Sequence, residues 1–460
     1  MTHRRTKITV PADISDLSTE NQQALEELKR VVPLVDALYR KQVPRAGVQT
    51  FYPDGLTARE FEKYLVEHPE KRDVLESHFT VVRKNGEQLT AIPYSEEYKR
   101  ELMEISAGLR VAAQKISHPN LKTFIETRAS DFENNDFTPG DLLWIPLSEA
   151  PIELTIGPYE EYEDMIWGKK RSFEIVISTV LKEENARLAD YQKWAGEFDN
   201  ELAQKYGYTP GSSTRTMLIV DEVAAGGHSK AGYTPMAYNL PNDTEIKIRA
   251  GSKQVFLRNI IRAKFQTITL PIAQLVVSPE VANSFSADDY TLFIIGHELA
   301  HGLGLYCKDG LRELGHGLEE GKADVFGLLF LYWLADRGHI PQETARAAAI
   351  AKVIDGLRQI RFGQEEAHAI GTIIQYRWLL SHGGLMLKNG KFILDEEKIR
   401  ASEESLGDAF AQLALSKDYT RAAEFVNVWG KKIEEFEPVL AGLSNIPVDI
   451  EPEFEIRGRI

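Results

Sequence analysis

The chain has 460 residues, 43% of them hydrophobic and 27% charged, with a formal net charge of −15: an ordinary globular composition, long enough for two or three domains. The acidic surplus argues against broad nucleic-acid binding, which needs a basic surface, and no run approaches the ~18 apolar residues of a membrane span. A single cysteine, Cys307, excludes an internal disulfide, and the basic N-terminus leads into Pro11-Ala-Asp rather than an apolar stretch, so a cytoplasmic protein is expected.

Leu25, Leu28, Val31, Val35 and Leu38 recur at helical spacing and predict a helix over 15–45. Thr57-Ala-Arg-Glu60 is a capping box for a second helix, stopped at His68-Pro69. Phe79–Arg83 and Leu89–Ile92 about a turn at Asn85-Gly86 read as a hairpin. Two more helices are expected at 95–117 and 119–135. His68, His78 and His118 read as surface or packing residues.

From Leu142 the pattern turns to strands: Leu142–Pro146, Ile152–Gly157 and Phe173–Val180. The acidic, aromatic Pro158–Asp164 lies between the last two. A charged helix follows at 181–206, then a strand at Met217–Val220, a loop at Ala224–His228, a turn-rich Met236–Asp243 and an apolar Lys253–Leu257. Beyond Ala287 the chain reads as almost wholly helical to about Leu440, and the tail from Ile446 suits a strand or a return to the first domain.

One helix, expected over 290–304, carries chemistry. It is apolar nearly all round, yet it contains His297-Glu298-Leu-Ala-His301. Histidines at i and i+4 leave one face a turn apart and together hold a tetrahedral Zn²⁺, with the intervening Glu298 as general base on a water. A catalytic zinc needs a third protein ligand. Glu320 on the next helix is the candidate, and Asp324, which shares its face, is placed to accept the outer N–H of a ligand histidine. Glu319 points some 100° away, towards the other histidine. The rival third ligand is Cys307, which falls where a metzincin places its third histidine. His316 reads as a local or surface residue.

These residues resemble the dipeptidyl peptidase III family of zinc exopeptidases, in its shorter, bacterial-type branch. Ile156-Gly-Pro-Tyr-Glu160-Glu-Tyr162-Glu-Asp164 is similar to the family's Ile-Gly-x-x-Glu-x-Tyr-x-Asp, and Asn239-Leu-Pro-Asn242 to its Asn-x-Pro-Asn. Glu319-Glu320-x-x-Ala-Asp324 and Glu366-Ala-His368 complete the series. The resemblance spans about 156–370. It implies one zinc per chain held by His297, His301 and Glu320, with Glu298 activating water. It implies Tyr162 and His368 at the oxyanion, and Glu160, Asn239 and Asn242 on the substrate's amino end. From the residues alone, Tyr162 reads as a surface aromatic, the two asparagines as turn formers and His368 as a packing histidine. The chain departs from the best-known members in its regular His-Glu-x-x-His spacing, and in Thr372 where they have an arginine.

The fold class expected is α+β, with two lobes flanking a cleft. A mixed lobe with a β-barrel-like core comprises 1–180 and 213–275. A mostly α-helical zinc lobe comprises 181–212 and 276–442, and 443–460 packs back on the first. The activity expected is zinc-dependent release of dipeptides from short peptides, with no nucleic-acid or membrane partner. The alternatives are a zinc hydrolase of another amide or ester, and a non-catalytic peptide-binding protein, against which the intact Glu298 argues.

Overall fold

The structure, a computed structural model, describes residues 5–211, 215–308, 310–363 and 367–458. The chain forms two compact units. One is mixed in structure and comprises Thr9–Asn185, Thr214–Ile260 and Pro452–Ile460; the other is helical and comprises Met1–Ile8, Ala186–Ser213 and Ile261–Glu451. Residues 261–275, expected with the strands, belong to the helical unit. Their helices, part of a run from Arg258 to Val276, pack against the helix Gln342–Gln359.

The strands are β1 (Arg5–Asp13), β2 (Thr80–Asn85), β3 (Gln88–Pro93), β4 (Ile152–Glu160), β5 (Ser172–Val180), β6 (Arg215–Gly227), β7 (Ala237–Leu240), β8 (Ser252–Leu257), β9 (Leu385–Lys388), β10 (Lys391–Leu394) and β11 (Asp449–Arg457). β11 in the tail pairs with β1, a strand that the sequence pattern did not reveal.

The mixed unit is built on a five-stranded sheet in the order β4-β5-β6-β8-β7, antiparallel except for β6 with β8. Nearly every position of β4 and β5 is buried, as in strands covered on both faces. The helix Thr19–Gln42 covers β5 and β6, with Leu25, Leu28, Val31, Val35 and Leu38 inward.

The expected barrel does not close. Its edges, β4 and β7, meet through side chains instead of a backbone ladder: Thr155 Oγ1 and Tyr238 OH lie 2.8 Å apart. Lys253 on β8 likewise reaches Glu153 on β4 at 2.6 Å. Leu142–Pro146 is not the expected strand: Leu142 to Trp144 end a helix, Thr138–Trp144, and the next two residues form a turn. Pro139 opens that helix and Asp141 pairs with the fully buried Arg128, which places Trp144 where its indole N–H donates to Glu153 at 2.6 Å.

In the helical unit, the histidine helix Ala287–Ala300 packs against the long helix Leu314–Asp336 and against Gln342–Gln359. The long helix also packs against Ala367–His382 and Glu396–Ser416, and is buried over most of its length. Two glycine contacts let it approach so closely: Gly327 against Gly296, and Gly321 against Gly371.

Candidate active site

Ser286 starts the histidine helix with a capping box to Asp289. His297 lies in its last turn and His301 caps it, still in αR conformation (φ −64, ψ −20), so both rings leave one face. The two Nε2 atoms are 3.1 Å apart. From the long helix, Glu320 Oε2 lies 3.4 Å from His297 Nε2 and 3.5 Å from His301 Nε2.

Ligands about 2.0–2.1 Å from a tetrahedral ion stand about 3.3–3.4 Å from one another, so these three atoms have the spacing of a tetrahedral face. Glu320 Oε2 is buried and accepts no hydrogen bond, the state of a donor atom meant for a cation. Burial lowers the His297 imidazole, but Asp324 and Glu320 outweigh it and raise it to about 10. The pocket demands positive charge, and the donor set fits a divalent metal.

His368 belongs to the same cluster. Its Nδ1 lies 3.2 Å from Glu320 Oε2, and His297, Glu320 and His368 converge as a potential ligand group. Its side chain is 57% exposed, against 9% for His297. Glu366, from the same motif, lies outside the described residues.

Each histidine of the helix is backed by a carboxylate, and each carboxylate by a lysine. His297 Nδ1 is 2.8 Å from Asp324 Oδ1, whose other oxygen is 2.5 Å from Lys352 Nζ. His301 Nδ1 is 3.0 Å from Glu319 Oε1, and Lys322 Nζ reaches that oxygen at 2.8 Å. Both lysines are fully buried. Burial alone would raise the two carboxyls, but Lys352 at Asp324 and Lys322 at Glu319 outweigh it and bring each down to about 2. Carboxylates held ionised behind the imidazoles fix the tautomer that presents Nε2.

Lys322 and Lys352 were not recognised in the sequence. The available signal was a lone lysine within the apolar run Ala347–Ile354, where a charge must be buried and therefore paired. Lys352 also donates to Thr372 Oγ1 and Gln359 Oε1, each at 3.1 Å, so Thr372 serves the interior of this network.

Cys307 is buried behind the cluster, and its amide donates to Glu319 Oε2 at 2.9 Å. The turn that leads to it is anchored by Asp199, which accepts from the Gly304 and Gly211 amides and the Tyr208 hydroxyl. His316 is exposed in the first turn of the long helix.

The other candidate residues belong to the mixed unit. Glu160 ends β4 just after a register shift. Burial pushes its carboxyl above the usual range, and neighbouring Glu161 adds to the effect, against His228. Asp164 organises the following segment by accepting the amides of Ile166, Trp167, Lys169 and Lys170 and the Tyr52 hydroxyl. Tyr162 is 78% exposed. Asn239, expected in a turn, lies on edge strand β7 opposite Gln254, and its Oδ1 is buried with no hydrogen-bond partner. Asn242 follows the cis Leu240–Pro241 bond; its carbonyl accepts from Arg171, and its side-chain amide donates to the Tyr159 carbonyl. His78, read as a packing residue, bonds the Lys169 carbonyl at 2.7 Å.

Comparison with known proteins gives three kinds of likeness. The model of peptidase family M49 matches residues 68–310. The chain is similar to Nudix hydrolase 3 of Arabidopsis thaliana, with 28% identity over 446 residues, 88% of this chain; it spans only 57% of that protein's length. Among solved structures, DPP III from Caldithrix abyssi superposes with a TM-score of 0.92 at 28% identity, covering 98% of both chains. Dipeptidyl-peptidase III from Corallococcus sp. strain EGB gives a TM-score of 0.80 at 29% identity, over 98% of this chain and 95% of that one.

Proposed function

The chain belongs to peptidase family M49, and on that premise we propose that it is a zinc-dependent exopeptidase releasing dipeptides from the N-terminus of short peptides. The observation that carries the metal assignment is the tetrahedral spacing of His297 Nε2, His301 Nε2 and Glu320 Oε2, a buried oxygen that accepts no hydrogen bond. A zinc ion held by these residues supplies Lewis acidity towards a peptide carbonyl and lowers the pKa of water.

Glu298, next to His297 on the helix, takes the proton of the attacking water and delivers it to the leaving amine. His368 and Tyr162 donate to the oxyanion that develops on the scissile carbonyl. Glu160, Asn239 and Asn242 hold the substrate's ammonium. The support for that role is chemical: a carboxyl raised by burial and a buried amide oxygen without a donor both gain from a cationic partner. Holding the amino end is what makes the cut fall after a fixed number of residues.

No described helix is long and apolar enough to cross a membrane, and the single cysteine suits the reducing cytoplasm as the site of action.

The test combines metal analysis of the purified protein with a peptide-library digest read by mass spectrometry. One zinc per chain and N-terminal dipeptides as products are expected. Metal-loaded protein that cuts internally, or that turns over only non-peptide amides or esters, overturns the exopeptidase reading.

A further inference from the structure

If Tyr162 acts on the substrate, something must hold its ring, because the residue is 78% exposed. Asp164 organises the chain after Tyr162, accepting the amides of Ile166, Trp167, Lys169 and Lys170. The ring lies instead on His228, with centroids 5.7 Å apart and planes within 12°.

His228 also faces the next residue of the segment. Its Nδ1 lies 3.6 Å from Glu163 Oε1, an oxygen that also accepts from the Tyr39 hydroxyl at 2.7 Å. Tyr39 meets the imidazole edge-on at 6.2 Å. One side chain thus contacts two consecutive residues, Tyr162 by its face and Glu163 by its edge.

The chain on either side of His228 is anchored. Gly227 before it has φ +69, and a Cβ there would stand 2.3 Å from the Phe173 carbonyl, so the backbone entering His228 requires glycine. The Gly227 amide donates to Asp36, and the Ser229 hydroxyl donates to Glu174. Burial lowers the His228 imidazole, but Glu163, Glu174 and Glu160 outweigh it and raise it.

We propose that His228 is a positioning residue for Tyr162, holding the phenol at one orientation for the scissile carbonyl. This rests on the role given to Tyr162 above.

The test is steady-state kinetics of His228→Ala, His228→Phe, Tyr162→Phe and the Ala/Phe double variant on a dipeptidyl-arylamide. A stacked aromatic pair that sets the phenol's orientation is worth up to about one order of magnitude in rate. His228→Ala is therefore expected to lower kcat about ten-fold with KM changed less than about two-fold. His228→Phe, which keeps a ring face, should recover most of that loss, and the double variant should be no slower than Tyr162→Phe alone. A slowed Tyr162→Phe beside an unchanged His228→Ala overturns the positioning role and leaves Tyr162 standing. Full kcat in Tyr162→Phe overturns the reading of Tyr162 itself. Should His228→Ala fail to fold, His228→Leu replaces it, alone and combined with Tyr162→Phe: losses additive with Tyr162→Phe sink the proposal.

Discussion

Gly327 lies against the main chain of His297: a Cβ at position 327 would stand 2.7 Å from the His297 amide nitrogen. The metal-side geometry therefore depends on a missing side chain, since the long helix delivers Glu320 to the imidazoles only by approaching this closely. Gly327→Ala gains about 1 kcal/mol of helix propensity, while forcing apart two packed backbones costs about 1–3 kcal/mol. Net destabilisation in urea unfolding is expected, with faster loss of metal to a chelator. A variant that keeps its metal as the parent does would show that the contact is not what sets the ligand spacing.

Glu298 and Glu320 are expected to separate by readout. Glu298→Gln should retain metal and lose about 10²–10⁴-fold in kcat, the usual contribution of a general base. Glu320→Gln should lose the metal itself, seen directly by elemental analysis. The reverse pattern would exchange the two roles.

Lys352 is fully buried, and Asp324 is 1% exposed. Lys352→Met leaves that carboxylate uncompensated in the interior, a change that costs about 3–5 kcal/mol. The double variant Lys352→Met/Asp324→Asn removes both charges and should recover much of the stability in urea while still weakening metal retention, because His297 loses its carboxylate. If the single variant is as stable as the parent, the lysine does not neutralise Asp324.

Glu222 on β6 sets a pH dependence away from the metal. Burial raises its carboxyl from 4.5 to about 8. Below the lower value both folded and unfolded chains hold the proton. Between the two only the folded chain holds it, so stability falls as pH rises across that window and the loss is complete above about 8. Glu222→Gln should flatten this component, gaining on the parent from pH 5 to pH 8 in urea unfolding. A constant difference between the two across that range would contradict it.

Much of this was legible in the sequence where local geometry decides. The i, i+4 spacing of His297 and His301 puts both rings on one face whatever the surroundings, and Glu320 with Asp324 follows the same rule one helix later. The capping box at Thr57 and the Asn85-Gly86 hairpin are local in the same sense. What escaped was set by partners on other elements. Leu142–Pro146 has strand-like composition, but Asp141 pairs with Arg128 and Trp144 with Glu153, and that tertiary context outweighs propensity. The open sheet's edges are instead bridged by side chains such as Lys253 and Glu153, a pair 100 residues apart. Lys352 belongs to the same class, since its partner Asp324 sits on another helix.

The buried sulfur of Cys307 has one more consequence. Burial, with Glu319 adding to it against Lys322, pushes the thiol up to about 12, so at neutral pH almost none of it is thiolate. Alkylating reagents and peroxide attack the anion, and here they find neither the anion nor a way in. The chain's one sulfhydryl is therefore shielded from thiol reagents in the folded state, and alkylation of the native protein should leave it unmodified until the chain is unfolded.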